Sequence, residues 1–119
     1  MVSYITAHKV EMRDSDVHGR GVFASEDIEE GTVVEESHLI ETQVGPGCNK
    51  YTLDSYFWEG QKEKSHLISL GLASVFNQSE TPNTKFEYIR EENIYRFTTN
   101  RFINKNEELF INYSQRIII

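Results

Sequence analysis

A mostly β domain with little helix is what this sequence predicts, and two observations carry the prediction. Thr84 to Ile89 and Asn93 to Thr99 alternate polar with apolar or aromatic residues at period two, with Arg90-Glu91-Glu92 between them. That is the pattern of a β-hairpin with one buried face. Elsewhere the apolar runs are short and are broken by glycine, proline, asparagine or acidic turns, which leaves little room for long helices.

Taken in order, Val2 to Glu11 reads as a first strand and Asp14-Ser15-Asp16 as a turn. Gly19-Arg20-Gly21 follows, two glycines around one residue, so the backbone can turn tightly and bring its amides and carbonyls close to a ligand. Val22-Phe23-Ala24 reads as a short buried strand. The third glycine and the helix of a dinucleotide fingerprint are missing. Ser25 to Gly31 is an acidic turn. Thr32 to Glu36 restarts a strand, and Leu39 to Val44 continues it. Most of the acidic cluster Glu26, Glu29, Glu30, Glu35 and Glu36 is expected to be solvated. Gly45-Pro46-Gly47 breaks the chain into a loop, and Tyr51 to Trp58 is rich in aromatics.

His66 to Leu70 leads into the most informative stretch, Gly71 to Asn83. Leu72, Val75 and Phe76 stand at helical spacing and bury one face of a short turn. Asn77 then brings an amide with two donors and an acceptor to the end of that buried turn. Pro82 stiffens the exit. After the hairpin, Arg101 to Ile103 reads as a short strand, Asn104-Lys105-Asn106 as a turn, and Glu107 to Tyr113 as the last strand.

Composition excludes several classes. A chain of 119 residues without repeats or linkers is read as one domain, residues 1–119. Twelve basic against nineteen acidic residues give a net charge of -7, which argues against binding nucleic acid through a basic face and suits a basic partner. One cysteine, Cys48, permits no internal disulfide. With His8, His18, His38 and His66 scattered, no metal site is expected. No apolar run has the length of a membrane span, so no membrane contact and a soluble intracellular location are expected. The Asn-x-Ser matches at Asn77 and Asn112 then read as chance.

Gly19-Arg20-Gly21, the strand start Glu30-Gly31-x-x-x-Glu35, Phe76-Asn77-Gln78-Ser79 with Pro82-Asn83, and Glu107-Glu108-Leu109-Phe110-Ile111-Asn112-Tyr113 stand in one order with compact spacing. In that order the chain resembles the SET-domain protein lysine methyltransferases, over nearly its whole length from Lys9 to Gln115. Its size is similar to that of minimal viral and bacterial SET domains, which lack the flanking zinc modules. The resemblance implies a β-clip-like fold of several small sheets with a C-terminal pseudo-knot, in which the Asn77 stretch and the Tyr113 strand lie side by side. It implies S-adenosylmethionine as cofactor and methyl transfer to a deprotonated lysine ε-amine, the two entering from opposite faces of a narrow channel.

By this resemblance, the backbone of His18, Gly19 and Arg20 holds the methionine part of the cofactor. The Asn77 side chain and the Gln78 backbone bind its amino group and adenine, and Tyr113 is the catalytic tyrosine. Tyr56 lines the lysine channel. Ile111 falls where relatives carry the phenylalanine or tyrosine that tunes methylation state, and an aliphatic residue there implies tolerance of di- and trimethylation. The partner implied is a lysine-bearing basic protein such as a histone tail, with a nuclear location if the substrate is chromatin. Two departures stand out. Gln78 replaces the family histidine, which leaves open a degenerate SET domain that binds peptide without catalysis. After Tyr113 there is only Ser114 to Ile119, whose three terminal isoleucines are expected to be buried, on the channel mouth or across a homodimer contact.

Overall fold

The computed structural model describes residues 3–43, 57–59 and 65–119. Ten strands, and no α-helix, are found among these: β1 (Val10–Asp14), β2 (Arg20–Ala24), β3 (Val33–Gln43), β4 (Phe57–Glu59), β5 (Ser65–Ser69), β6 (Asn77–Gln78), β7 (Thr84–Ile89), β8 (Ile94–Thr99), β9 (Glu108–Ile111) and β10 (Ile117–Ile118). Two 3₁₀ turns, Gly71–Ser74 and Tyr113–Gln115, are also found among the described residues. Mostly β, as the alternating pattern indicates, is what is found. No helix among the described residues is long and apolar enough to cross a membrane.

The strands form a sheet in the order β1-β2-β9-β6 and a sheet in the order β10-β7-β8-β3-β5-β4. The hairpin is where the alternation puts it, with Thr84 opposite Thr99 and Ile89 opposite Ile94. Its inward residues Phe86, Tyr88, Tyr95 and Phe97 are buried and meet in stacked and edge-to-face pairs. Phe76 stacks on Phe97 at 4.3 Å between ring centroids, anchoring the Asn77 stretch on this aromatic core. β3 is one long strand whose first half pairs with β8 and whose second half pairs with β5.

Several expectations need correction. The first strand starts at Val10 rather than Val2, because Ala7 and Lys9 turn the chain with positive φ angles of 47° and 63°. The residues before that turn run instead along β3, with Glu36 N–H bonded to the Ile5 carbonyl and His8 N–H to the Val34 carbonyl. Arg101 to Ile103 contributes only a single bridge, Ile28 to Ile103. The last strand stops at Ile111, since the Asn112 side chain accepts from Ser114 N–H and starts a 3₁₀ turn at Tyr113. Phe76 is buried as expected, but it is Ala73 that is fully buried in the preceding turn, while Leu72 and Val75 pack at the margin of the core.

The terminal isoleucines Ile117 and Ile118 form the edge strand β10 of the second sheet. Ile117 and Ile118 pair in parallel with Glu87 and Tyr88, Ile119 N–H bonds the Tyr88 carbonyl, and Arg90 N–H bonds the Ile119 carbonyl. Their side chains remain 42–53% exposed. Backbone hydrogen bonds hold this tail, helped by Arg116, whose guanidinium lies over the Tyr88 ring and donates to the Tyr95 hydroxyl at 2.9 Å.

Glu35 departs from its predicted place on the solvated surface. It is 2% exposed, and its carboxylate accepts from Ala7 N–H (2.8 Å), Leu72 N–H (3.0 Å) and Ser37 Oγ (2.6 Å). It therefore fixes the start of the Gly71–Ser74 turn to β3. Gly71, at φ +71°, makes this possible, because a Cβ there would lie 2.4 Å from a Glu35 oxygen.

Candidate functional site

β9 lies between β2 and β6, in parallel register with Asn77–Gln78. This places the Gly19 loop, Asn77 and Tyr113 together, although they are far apart in the chain. They share an open cleft of about 640 Å³ with Met12, Asp14, His18, Arg20, Ser74 and Val75. The side-by-side placement of the Asn77 and Tyr113 segments is as expected.

The loop leading into β2 is tightly closed. Ser15 N–H donates to the Gly19 carbonyl, Ser15 Oγ accepts from Val17 N–H, and Gly19 takes φ +51°. Gly21 answers a different demand. A Cβ on it would lie 2.2 Å from Glu108 Oε2 and 3.1 Å from Asn77 Nδ2, so only glycine lets those groups approach. Asp14 and Arg20 at the rim form an exposed 3.6 Å ion pair, which adds little to stability.

Asn77 is 7% exposed, and its amide nitrogen points inward. Nδ2 has three acceptors within reach: the carbonyls of His18 (3.1 Å) and Arg20 (3.1 Å), and Glu108 Oε2 (2.8 Å). Three acceptors around one atom require a donor, which fixes the amide orientation. The Asn77 nitrogen is thus committed to the protein.

Tyr113 is held at both ends. Its N–H donates to Gln78 Oε1 at 2.7 Å, and its hydroxyl donates to the Phe76 carbonyl at 2.6 Å. With the hydroxyl proton so placed, the phenolic oxygen faces any ligand as an acceptor. Gln78, in the place of the family histidine, therefore supports Tyr113 through its side chain.

Ile111 is fully buried within the core and does not reach the cleft wall. Tyr56 lies outside the described residues. Two functional candidates received no role from the sequence. Glu108 accepts from Ser15 Oγ (2.7 Å) as well as from Asn77. Asn83, 2% exposed, donates to the Glu108 carbonyl (2.9 Å) and accepts from Phe110 N–H (2.8 Å), clamping β9 around Leu109. The adjacent Glu107 faces away from the cleft: it pairs with Arg101, which holds its carboxyl below the usual range, and caps Asn104 N–H. Alternation of side chains along the extended segment entering β9 separates these two glutamates. That alternation was the available signal for Glu108.

Residues 19–114 match the SET domain. The chain belongs to the SET-domain family. A Schizosaccharomyces pombe histone-lysine N-methyltransferase, specific for H3 lysine-37, is 34% identical over 116 residues, covering 91% of this chain and 75% of that protein. Among solved structures, a candidate histone methyltransferase of Plasmodium falciparum superposes with a TM-score of 0.68 at 26% identity, over 89% of this chain and 93% of that chain. A humanized mutant of the Chaetomium thermophilum Polycomb Repressive Complex 2, bound to the inhibitor GSK126, gives 0.69 at 27% identity. That match covers 91% of this chain and 15% of the larger chain. Family membership and a histone-lysine methyltransferase relative support lysine methyltransferase activity for this chain.

Proposed function

We propose that this single SET domain, residues 1–119, is an S-adenosylmethionine-dependent protein-lysine N-methyltransferase acting on a basic protein, with a histone tail as the first candidate. The observation that carries the reading is the convergence of the Gly19 loop, Asn77 and Tyr113 on one cleft.

The cleft fits the cofactor by its chemistry. A ligand carrying an ammonium and a sulfonium needs acceptors and no fixed cation at its centre. The Asn77 carbonyl oxygen, the loop carbonyls and the Asp14 carboxylate supply acceptors, and Arg20 is turned towards Asp14. When bound, S-adenosylmethionine supplies an already activated methyl group, so the protein provides position and electrostatics rather than a nucleophile. His18, Gly19 and Arg20 form the lip that holds the methionine part. Asn77 accepts from its amino group, and the Gln78 backbone lies at the adenine end.

Tyr113 orients the incoming amine. Its hydroxyl proton is fixed on the Phe76 carbonyl, so its oxygen accepts an N–H of the lysine and aims the nitrogen lone pair at the methyl group. With the cofactor bound, the lysine nitrogen would take the methyl group as the sulfonium becomes a neutral thioether, and the excess proton would leave with solvent. Desolvation beside a cation lowers the lysine pKa, so Tyr113 need not act as a base. Location in the nucleus follows if the substrate is chromatin.

The test is mass spectrometry of histone H3 and of a panel of basic peptides incubated with S-adenosylmethionine and either wild type or Tyr113→Phe. Mass increments of one or more methyl groups on lysine, lost in the variant, support the reading. Incorporation that is equal in the two proteins contradicts the role of Tyr113.

A further inference from the structure

We infer that Glu108 is a positioning residue for the cofactor, acting through Asn77 and the loop before β2. The inference rests on the cofactor reading above. One carboxylate on β9 joins Asn77 and Ser15, adding to the direct bonds from Asn77 to the His18 and Arg20 carbonyls. Oε2 accepts from Asn77 Nδ2 at 2.8 Å, and Oε1 accepts from Ser15 Oγ at 2.7 Å. Ser15 in turn closes its own loop through the Val17 and Gly19 contacts, so the lip that carries His18, Gly19 and Arg20 is anchored on β9.

The geometry shows how strictly this link is built. Gly21 lacks the Cβ that would strike the Glu108 carboxyl at 2.2 Å. Asn83 fastens the Glu108 carbonyl from the other side. Among the described residues no Lys, Arg or His pairs with Glu108, so its charge is balanced only by hydrogen-bond donors. A half-buried carboxylate set this way does two things. It prevents the Asn77 amide from flipping, because a carbonyl oxygen turned toward Glu108 and two backbone carbonyls would be repelled. It also places negative charge behind the wall of a cleft meant for a cationic ligand.

Glu108→Gln separates this role from simple packing. A glutamine oxygen still accepts from Asn77, and its amide still reaches the Ser15 hydroxyl, so the wall persists while the charge goes. Calorimetric titration with S-adenosylmethionine is expected to show binding about tenfold weaker, the size of one charge-assisted hydrogen bond. At saturating cofactor the turnover should fall less than the affinity. The Asn77 side-chain amide protons of the free protein, read by NMR, should move upfield in the variant.

If wild type binds and Glu108→Gln binds within about twofold of it, the positioning role is overturned while the cofactor reading stands. If folded wild type does not bind, the cofactor reading falls and takes this inference with it. Should Glu108→Gln not fold, Ser15→Ala carries the test: it cuts the other end of the link, and binding weaker by about threefold is expected. Unchanged binding in Ser15→Ala overturns the inference equally.

Discussion

Gln78 and Tyr113 are joined by a hydrogen bond in which the Tyr113 backbone N–H donates to Gln78 Oε1 at 2.7 Å. The bond spans the junction of β6 and the 3₁₀ turn, and it fixes the residue proposed to orient the lysine. Gln78→Ala should leave stability within about 1 kcal/mol of wild type, since both groups are solvent-accessible. Turnover should fall by about tenfold as the Tyr113 ring loses its register. Gln78→Glu keeps the acceptor and should restore most of the rate. Steady-state kinetics on the three proteins check this.

Tyr113→Phe removes the hydroxyl that bonds the Phe76 carbonyl. The expected stability cost is about 1 kcal/mol, read by denaturant unfolding. The expected loss of turnover is far larger, about a hundredfold, because the amine is no longer aligned. A variant with the same small stability loss but nearly full turnover would make Tyr113 a packing residue.

Much of this architecture was legible in the sequence. The Thr84–Thr99 hairpin followed from period-two alternation alone, because its buried aromatics Phe86, Tyr88, Tyr95 and Phe97 alternate with polar residues such as Lys85, Glu87 and Arg96. The grouping of Gly19, Asn77 and Tyr113 was legible only from motif order, since no local pattern tells which distant segments will pair. Glu35 and Glu108 were missed for a common reason. Each is a carboxylate whose partners are backbone amides, hydroxyls or an amide side chain, contributed by distant segments. Nothing local in the sequence names those partners, whereas Glu36 and Glu107 pair with the arginines Arg96 and Arg101. The glycines were the trace they left, since Gly71 and Gly21 each stand where a Cβ would meet a carboxyl oxygen.

The two glycines of Gly19-Arg20-Gly21 should respond differently to alanine. Gly19→Ala meets nothing within 4 Å and suffers only from its φ of +51°, a cost of about 1–2 kcal/mol. Gly21→Ala drives a Cβ into the Glu108 carboxyl and should lose both stability and cofactor affinity. Thermal melting and calorimetry on the pair distinguish them.

Glu35→Ala strips the Ala7 and Leu72 amides and the Ser37 hydroxyl of their buried acceptor. A loss of about 3 kcal/mol is expected in denaturant unfolding, although Glu35 lies away from the cleft. A surface-like loss of a few tenths would contradict the burial described here.

Stability should also decline in alkali. Burial pushes the Tyr95 hydroxyl up to about 12, against the opposing pull of Arg116. The native state thus keeps its proton where the unfolded chain, titrating near 10, gives it up. The contribution is complete below pH 10 and is lost as pH rises towards 12. Unfolding midpoints measured across that interval should fall for wild type and fall less for Tyr95→Phe.

The most direct test of the central claim is calorimetric titration of S-adenosylmethionine into wild type and Asn77→Ala. The account predicts micromolar binding by wild type, weakened at least about tenfold when the Asn77 carbonyl is removed. A folded wild-type protein that binds no cofactor, or that binds it equally well without Asn77, would contradict it.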